Sequence, residues 1–343
     1  MDAVIFQSTG DPGFNTNAPT GVLTNSGWQY EGTWGSAIGT VIAPRFFITA
    51  KHVDIGVTTN QIFHLNGVSY HPIAKFTTLS SDLDVWKTAE TFPLYAPLYT
   101  LANEAGGHVV VFGRGTQRGA PVVVGGVTNG WQWGAPDGVQ RWGENDVSST
   151  TNGGTGVGDL LRCTFDAGIG SNECDTSQGD SGAGLFIQDG GVWKLAGVNY
   201  EADGPFSNAV DGTVFNAALV DVRGLFQEVG PDVWQFISGP QPVPSAFYST
   251  RISANLNWIN TVINFVTGSD LPIPTPQPAG NGTLVSFASN SNRVYYVQRN
   301  TDLLSGSWIT FTNGVQGTGG TVSVLDTNSV GIPQAFYRVG LVK

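Results

Sequence analysis

Turn residues cut this chain before any apolar run grows long. Residues 108–112 read His-Val-Val-Val-Phe and stop at Gly113-Arg114-Gly115. Residues 36–42 and 45–49 are joined across Ala43-Pro44, and residues 183–187 and 192–198 flank Asp189-Gly190-Gly191. Residues 122–127 form another such run. Short β-branched and aromatic runs bounded by Gly, Pro and Asn read as strands joined by tight turns, and 47 glycines are on hand to make those turns. Only residues 252–266 have a helical period: Ile252, Leu256, Ile259, Val262, Ile263 and Val266 share one face, with Ser253 as N-cap. Residues 220–229 suggest a second, shorter helix. The pattern predicts an all-β barrel or sandwich protein with a helix late in the chain.

Prolines at 272, 274, 276 and 278 mark residues 269–280 as an extended polyproline spacer. They divide the chain into a domain over 1–268 and a tail over 281–343. In the tail, residues 283–288, 294–298, 308–311, 321–325 and 336–339 alternate apolar and polar side chains. That predicts a small antiparallel sandwich. The tail has no His or Cys and only Asp302 and Asp326 as acids. It is therefore unsuited to acid–base chemistry and reads as a module for surface binding, anchoring or sorting.

The formal charge is −11, and four basic residues in the tail leave the acid surplus to the first domain. No basic patch is present, which argues against a nucleic-acid partner. No run reaches the roughly 18 apolar residues of a membrane helix. Met1-Asp2-Ala3-Val4 has no charged or apolar leader character. With few lysines, many Asn, Gly and Thr, and a modular tail, the expectation is a secreted monomer whose leader has been removed. Cys163 and Cys174 are eleven positions apart, which is not a zinc spacing. The expectation is one disulfide closing a small loop in an oxidising compartment, with two free thiols as the alternative. No metal-ligand set is present.

Three segments can carry chemistry. In Gly179-Asp180-Ser181-Gly182 the glycines permit a tight turn with exposed amides, Ser181 offers a hydroxyl, and Asp180 can pin the turn. A serine hydroxyl needs a base to become a nucleophile. Among His52, His64, His71 and His108, His52 directly follows an apolar strand and is best held. His64 and His71 flank a hairpin at Asn66-Gly67, and His108 opens a strand. The partner of such a base is an ionised carboxylate. Asp82 and Asp84 both qualify, and alternation does not choose between them. Trp131-Gln132-Trp133-Gly134 and Trp142 read as packing for a long loop, with sugar stacking as the lesser alternative.

Together these segments resemble the chymotrypsin/trypsin-like serine peptidases over about residues 30–265. Thr49-Ala50-Lys51-His52 is similar to the run holding the family's base. Asp82-Leu83-Asp84-Val85-Trp86 is similar to the run holding its acid, with Asp82 first, and Gly179-Asp180-Ser181-Gly182 to the run holding its nucleophile. Gly113-Arg114-Gly115 resembles the turn after the first barrel, and Gly197-Val198-Asn199-Tyr200 the strand lining the cleft. Residues 247–253 with Trp258-Ile259 resemble the closing strand and helix.

The resemblance implies two six-stranded antiparallel β-barrels with a Ser181–His52–Asp82 triad between them. It also implies an oxyanion hole from the amides of Gly179 and Ser181, a polypeptide substrate and no cofactor. Asp175 would lie at the base of the primary pocket and favour Lys or Arg, with Thr176, Gln178, Asn199 and Tyr200 around it and Phe247 narrowing it. The chain departs from the family in Ala183, in Ala37 and Val53 where cysteines are common, and in lacking an Ile-Val-Gly-Gly-like start. Asp180 therefore needs some other partner. The roughly 45 residues between Tyr200 and Phe247 exceed the family's usual connection, and they suggest an added wall for the cleft. An inactive, binding relative and an esterase with the same triad are the rival expectations.

Overall fold

The computed structural model describes residues 4–263, 271–291, 293–303 and 307–342. The chain divides into two units, residues 1–263 and 264–343. Helical periodicity is confined to one segment, and the single α-helix among the described residues is Ile252–Ile263. Residues 264–266 of the expected helix lie outside the described residues.

The first unit is built on one closed barrel and one seven-stranded open sheet, with smaller sheets of two, three and four strands beside them. Barrel strands run in the order Arg141–Asn152, Asp159–Thr164, Ala246–Arg251, Val192–Ala202, Gly184–Asp189 and His108–Gly113, which pairs back to the first. Val109, Val111, Val147, Leu161, Leu185, Ala196 and Phe247 point into its interior. The open sheet has seven strands: Val68–Tyr70, Phe63–Leu65, Glu31–Trp34, Ala37–Ala43, Phe46–Ala50, Leu83–Thr88 and Pro72–Thr77.

The second closed barrel expected from the sequence is therefore not formed. The two outer strands of the open sheet do not pair, although only His71 separates them. Val68–Tyr70 has just three residues. Pro72 has no amide proton to donate, and the His71 carbonyl is already taken by the Ala89 amide.

Phe46–Ala50 shows how sheet and barrel join. Successive side chains of a strand face opposite ways. Phe46, Ile48 and Ala50 enter a core shared with Val110, Phe112, Phe186, Leu195 and Val198 of the barrel and with Ile252, Ile259 and Val262 of the helix. Phe47 faces the other way, into Trp34, Phe63 and Trp86. Both faces are covered, so all five residues are buried. Burial of a side chain as large as Phe47 contributes about 2–3 kcal/mol.

Other expectations are corrected. Ser253 does not cap the helix; it lies inside the first turn, and its hydroxyl bonds Glu104. Residues 220–229 are not helical: they turn and enter strand Phe226–Gly230. The run at 122–127 is the tip of a longer hairpin, Thr116–Val124 with Val127–Pro136. Cys163 and Cys174 are unbonded thiols rather than a disulfide. Cys163 sits in barrel strand Asp159–Thr164, and Cys174 in a separate two-stranded pair with Ile5–Phe6. Both fill one apolar cluster as small hydrophobes, and burial pushes both thiols up in pKa.

The second unit packs two three-stranded sheets. One is ordered Thr275–Ala279, Gly282–Ala288, Thr321–Asp326; the other is ordered Ile309–Gln316, Val294–Asn300, Phe336–Leu341. Val285, Phe287, Tyr295, Val297 and Val339 form its core. Part of the proline-rich stretch belongs to the fold. Thr275–Ala279 pairs with Gly282–Ala288 as an edge strand, where prolines are tolerated because one side needs no ladder bonds. Arg299 of one sheet reaches Asp326 of the other at 2.7 and 2.9 Å, and Tyr337 donates to the same carboxylate at 3.1 Å.

Candidate active site

His52 and Asp82 are brought together by strand pairing. Ala50 pairs with Leu83, and the Lys51 amide extends that ladder to the Asp82 carbonyl at 3.3 Å. The next residue on each chain turns out of the sheet. His52 lies in the 3-10 turn Lys51–Asp54. Its backbone amide donates to Asp82 Oδ1 at 3.0 Å, and its Nδ1 donates to Oδ2 at 2.6 Å. A neutral imidazole that donates through Nδ1 keeps Nε2 as an acceptor. Asp84, the rival carboxylate, is fully buried and paired with Lys75 at 2.7 Å.

Two buried devices hold this corner. Asp54, at the end of the His52 turn, receives the indole N–H groups of Trp34 and Trp86. Burial raises its pKa to about 6 although both bonds oppose the shift. Lys51 turns its ammonium onto three carbonyls: Ser81 at 2.6 Å, Gly156 at 2.9 Å and Thr78 at 3.3 Å. The segment leading to Asp82 is thereby tied to the turn between two barrel strands. The Asp82 amide adds a bond to the Val157 carbonyl at 3.2 Å.

Ser181 arrives from the barrel side. Gly179 (φ 100°) and Gly182 (φ 86°) hold left-handed backbone that other residues rarely adopt. A Cβ on Gly182 would stand 2.3 Å from Thr49 Oγ1 and 2.4 Å from the Ile38 carbonyl. Only glycine lets the turn close onto the sheet that carries His52. Asp180 is fully buried and accepts from the amides of Gly115 (2.6 Å) and Ser177 (2.7 Å) and from the Ser177 hydroxyl (3.1 Å). The Gly113-Arg114-Gly115 turn thus supplies part of what Asp180 requires.

The amides of the turn alternate in use. Those of Asp180 and Gly182 donate to the Ser177 and Asn199 carbonyls. Those of Gly179 and Ser181 have no protein acceptor among the described residues. The Ser181 hydroxyl donates to the Tyr200 carbonyl at 3.4 Å, and the Tyr200 ring meets the His52 ring edge-on at 5.6 Å. Tyr200 therefore touches both, and no hydrogen bond joins Ser181 to His52 among the described residues. Such bonds are often long in unliganded sites and tighten when substrate binds.

Beside Ser181 lies a groove of about 300 Å³. Thr176, Gln178, Asn199 and Tyr200 line it. Asp175 does not. It is fully buried, accepts from Ser245 Oγ and the Thr176 amide at 2.8 Å each, and is raised by burial to about 8. Phe247 is likewise enclosed in the barrel core. Ser177, Asp180 and Ala202 also line it. So do Trp133, Asn216 and Glu201, none of which the sequence had placed at this site. Glu201 directly follows the quoted Asn199-Tyr200 run. Asn216 comes from the long insertion, where no local signal marks it.

Trp131 instead packs against Phe165 under the Arg118 guanidinium. The remaining histidines have their own partners. His64 meets Ser69, His71 meets Glu90, and His108 meets Glu144 and Asp146. The Glu144 bond leads in raising His108 to about 9. No family model and no curated protein sequence matches this chain, so the reading of the site rests on its geometry.

Proposed function

We propose that the chain is a serine endopeptidase that cleaves peptide bonds through an acyl-enzyme. Ser181 Oγ attacks the scissile carbonyl while His52 Nε2 takes its proton. Asp82 holds the imidazole by Nδ1 and offsets the charge it gains. The oxyanion accepts hydrogen bonds from the amides of Gly179 and Ser181. Collapse of this intermediate breaks the C–N bond, His52 returns the proton to the leaving amine, and the acyl group stays on Ser181. Water then attacks the ester with His52 again as base, releasing the acid and restoring the hydroxyl. No cofactor enters either step.

The observation that carries this reading is the combination of a 2.6 Å His52–Asp82 contact with Ser181 on a turn whose two flanking amides are unused. Preorganised donors aimed at developing charge are commonly the largest catalytic contribution. The test is hydrolysis of an unfolded protein by the parent chain and by Ser181→Ala. The variant is expected to lose on the order of 10⁶ in kcat. Retained activity would refute the assignment. Turnover of esters without amides would move the reading to an esterase, and no turnover of either to a binding protein.

A further inference from the structure

The groove beside Ser181 carries one carboxylate with no hydrogen-bond or ion-pair partner among the described residues. Two of its lining residues, Asp180 and Glu201, are acids, and none is Lys, Arg or His. Asp180 is closed off by its amide and hydroxyl donors. The nearby Asp203 is also engaged, by the Tyr248 hydroxyl at 3.0 Å and the Ala246 amide at 2.9 Å. The Glu201 carboxylate has no hydrogen bond or ion pair among the described residues.

The backbone accounts for its placement. The strand Val192–Ala202 pairs Asn199 with Ser249 but Glu201 with Tyr248, so the register slips at Tyr200. A bulge re-aims the side chains beside it. Glu201 is left on the groove wall, one residue past Tyr200.

We infer that this groove takes a cationic side chain of the substrate, arginine before lysine, and that Glu201 is the counter-charge selecting it. The inference rests on the acyl-transfer reading of Ser181 and deepens it. Asp175, the carboxylate expected for this role, is sealed behind Ser245.

Three features favour a guanidinium. Glu201 offers an ionic acceptor, and Gln178 and Asn216 offer amide oxygens on the lining. Trp133 and Tyr200 add aromatic side chains, and a guanidinium stacks on aromatic faces far better than an ammonium does. Glu201 is exposed on the groove wall. Partial loss of water around its carboxyl, with Asp203 and Asp82 nearby, raises its pKa, while His52 lowers it. A bound cation would relieve that unfavourable field. An acidic substrate side chain would meet Glu201 with like charge and is excluded.

The test compares matched peptide amides carrying arginine, its neutral isostere citrulline, or lysine before the scissile bond. A hydrogen bond to a charged group of this kind corresponds to about a 10- to 100-fold preference. The parent chain is expected to show that ratio of kcat/KM for arginine over citrulline, with lysine between them. Glu201→Gln should bring the ratio to within about threefold of unity, and Glu201→Lys should invert it. A fluorophosphonate that labels Ser181 reports on the nucleophile separately. Labelling without a preference for arginine, or a preference that survives Glu201→Gln, overturns the inference and leaves the nucleophile standing. Absence of both labelling and turnover overturns the nucleophile reading and the inference with it.

Discussion

Replacing Lys51 by Met removes an ammonium and keeps the aliphatic stem. Two of the three carbonyl contacts, to Ser81 at 2.6 Å and Gly156 at 2.9 Å, are short, and the 3.3 Å contact to Thr78 adds little. A hydrogen bond to a charged donor is worth about 1.5–3 kcal/mol. Lys51 is half-buried, so water can replace part of each bond and the lower value applies. Two bonds give a loss of about 3 kcal/mol. For a unit of this size that is a fall of roughly 6–12 °C in Tm. Function should suffer beyond stability, because Ser81 precedes Asp82 and the released segment carries Asp82 away from His52 Nδ1. Displacing a catalytic group by about 1 Å costs on the order of 10²-fold. The assays are thermal unfolding and kcat/KM on a peptide ester, measured well below the variant's Tm. A Tm within about 2 °C of the parent together with kcat/KM within about threefold would refute the argument.

Other expectations test separate parts of the account. Asp82→Asn keeps the shape but presents an amide to the imidazole, and should lower kcat on the order of 10⁴-fold with near-parental unfolding. Gly182→Ala forces a side chain into φ 86° and against Thr49 Oγ1 and Ile38 O. It should abolish turnover and cost about 3 kcal/mol in denaturant unfolding. Glu31 and Asp175, both fully buried, are raised by burial to about 8. Each favours the folded state fully below its unfolded value near 4 and loses that contribution as pH rises towards 8. Stability should therefore fall across pH 5–8, with a slope of about 1.4 kcal/mol per pH unit for each group, and Asp175→Asn should remove its own share of that slope while Glu31 keeps the rest. In the second unit, Asp326→Ala strands the Arg299 charge and should destabilise that unit by about 3–5 kcal/mol, read by chemical denaturation.

What the sequence shows and what it hides divide along physical lines. Turn chemistry and period-two runs are local, so most strands and the helix were legible. Barrel closure is not local. It failed in the first sheet because of one short strand, one proline and a competing bond at Ala89. Alternation left Asp82 and Asp84 open as partners of His52, and Asp82 entered only through the resemblance of its run; the structure puts Asp82 on His52 and Asp84 on Lys75. Cysteine spacing suggested a bond, but Cys163 and Cys174 share one apolar cluster as unbonded thiols. The pocket was least legible. Asp175 and Glu201 are both carboxylates near Ser181 in space. Only a register slip at Tyr200 and a hydroxyl at Ser245 determine which one faces the groove.

The most direct test of the central claim is covalent labelling of the folded chain with a fluorophosphonate, followed by peptide mapping. The account predicts a single adduct on Ser181, absent in Ser181→Ala and formed far more slowly in His52→Ala. No adduct, or an adduct that persists on another residue in Ser181→Ala, would contradict it.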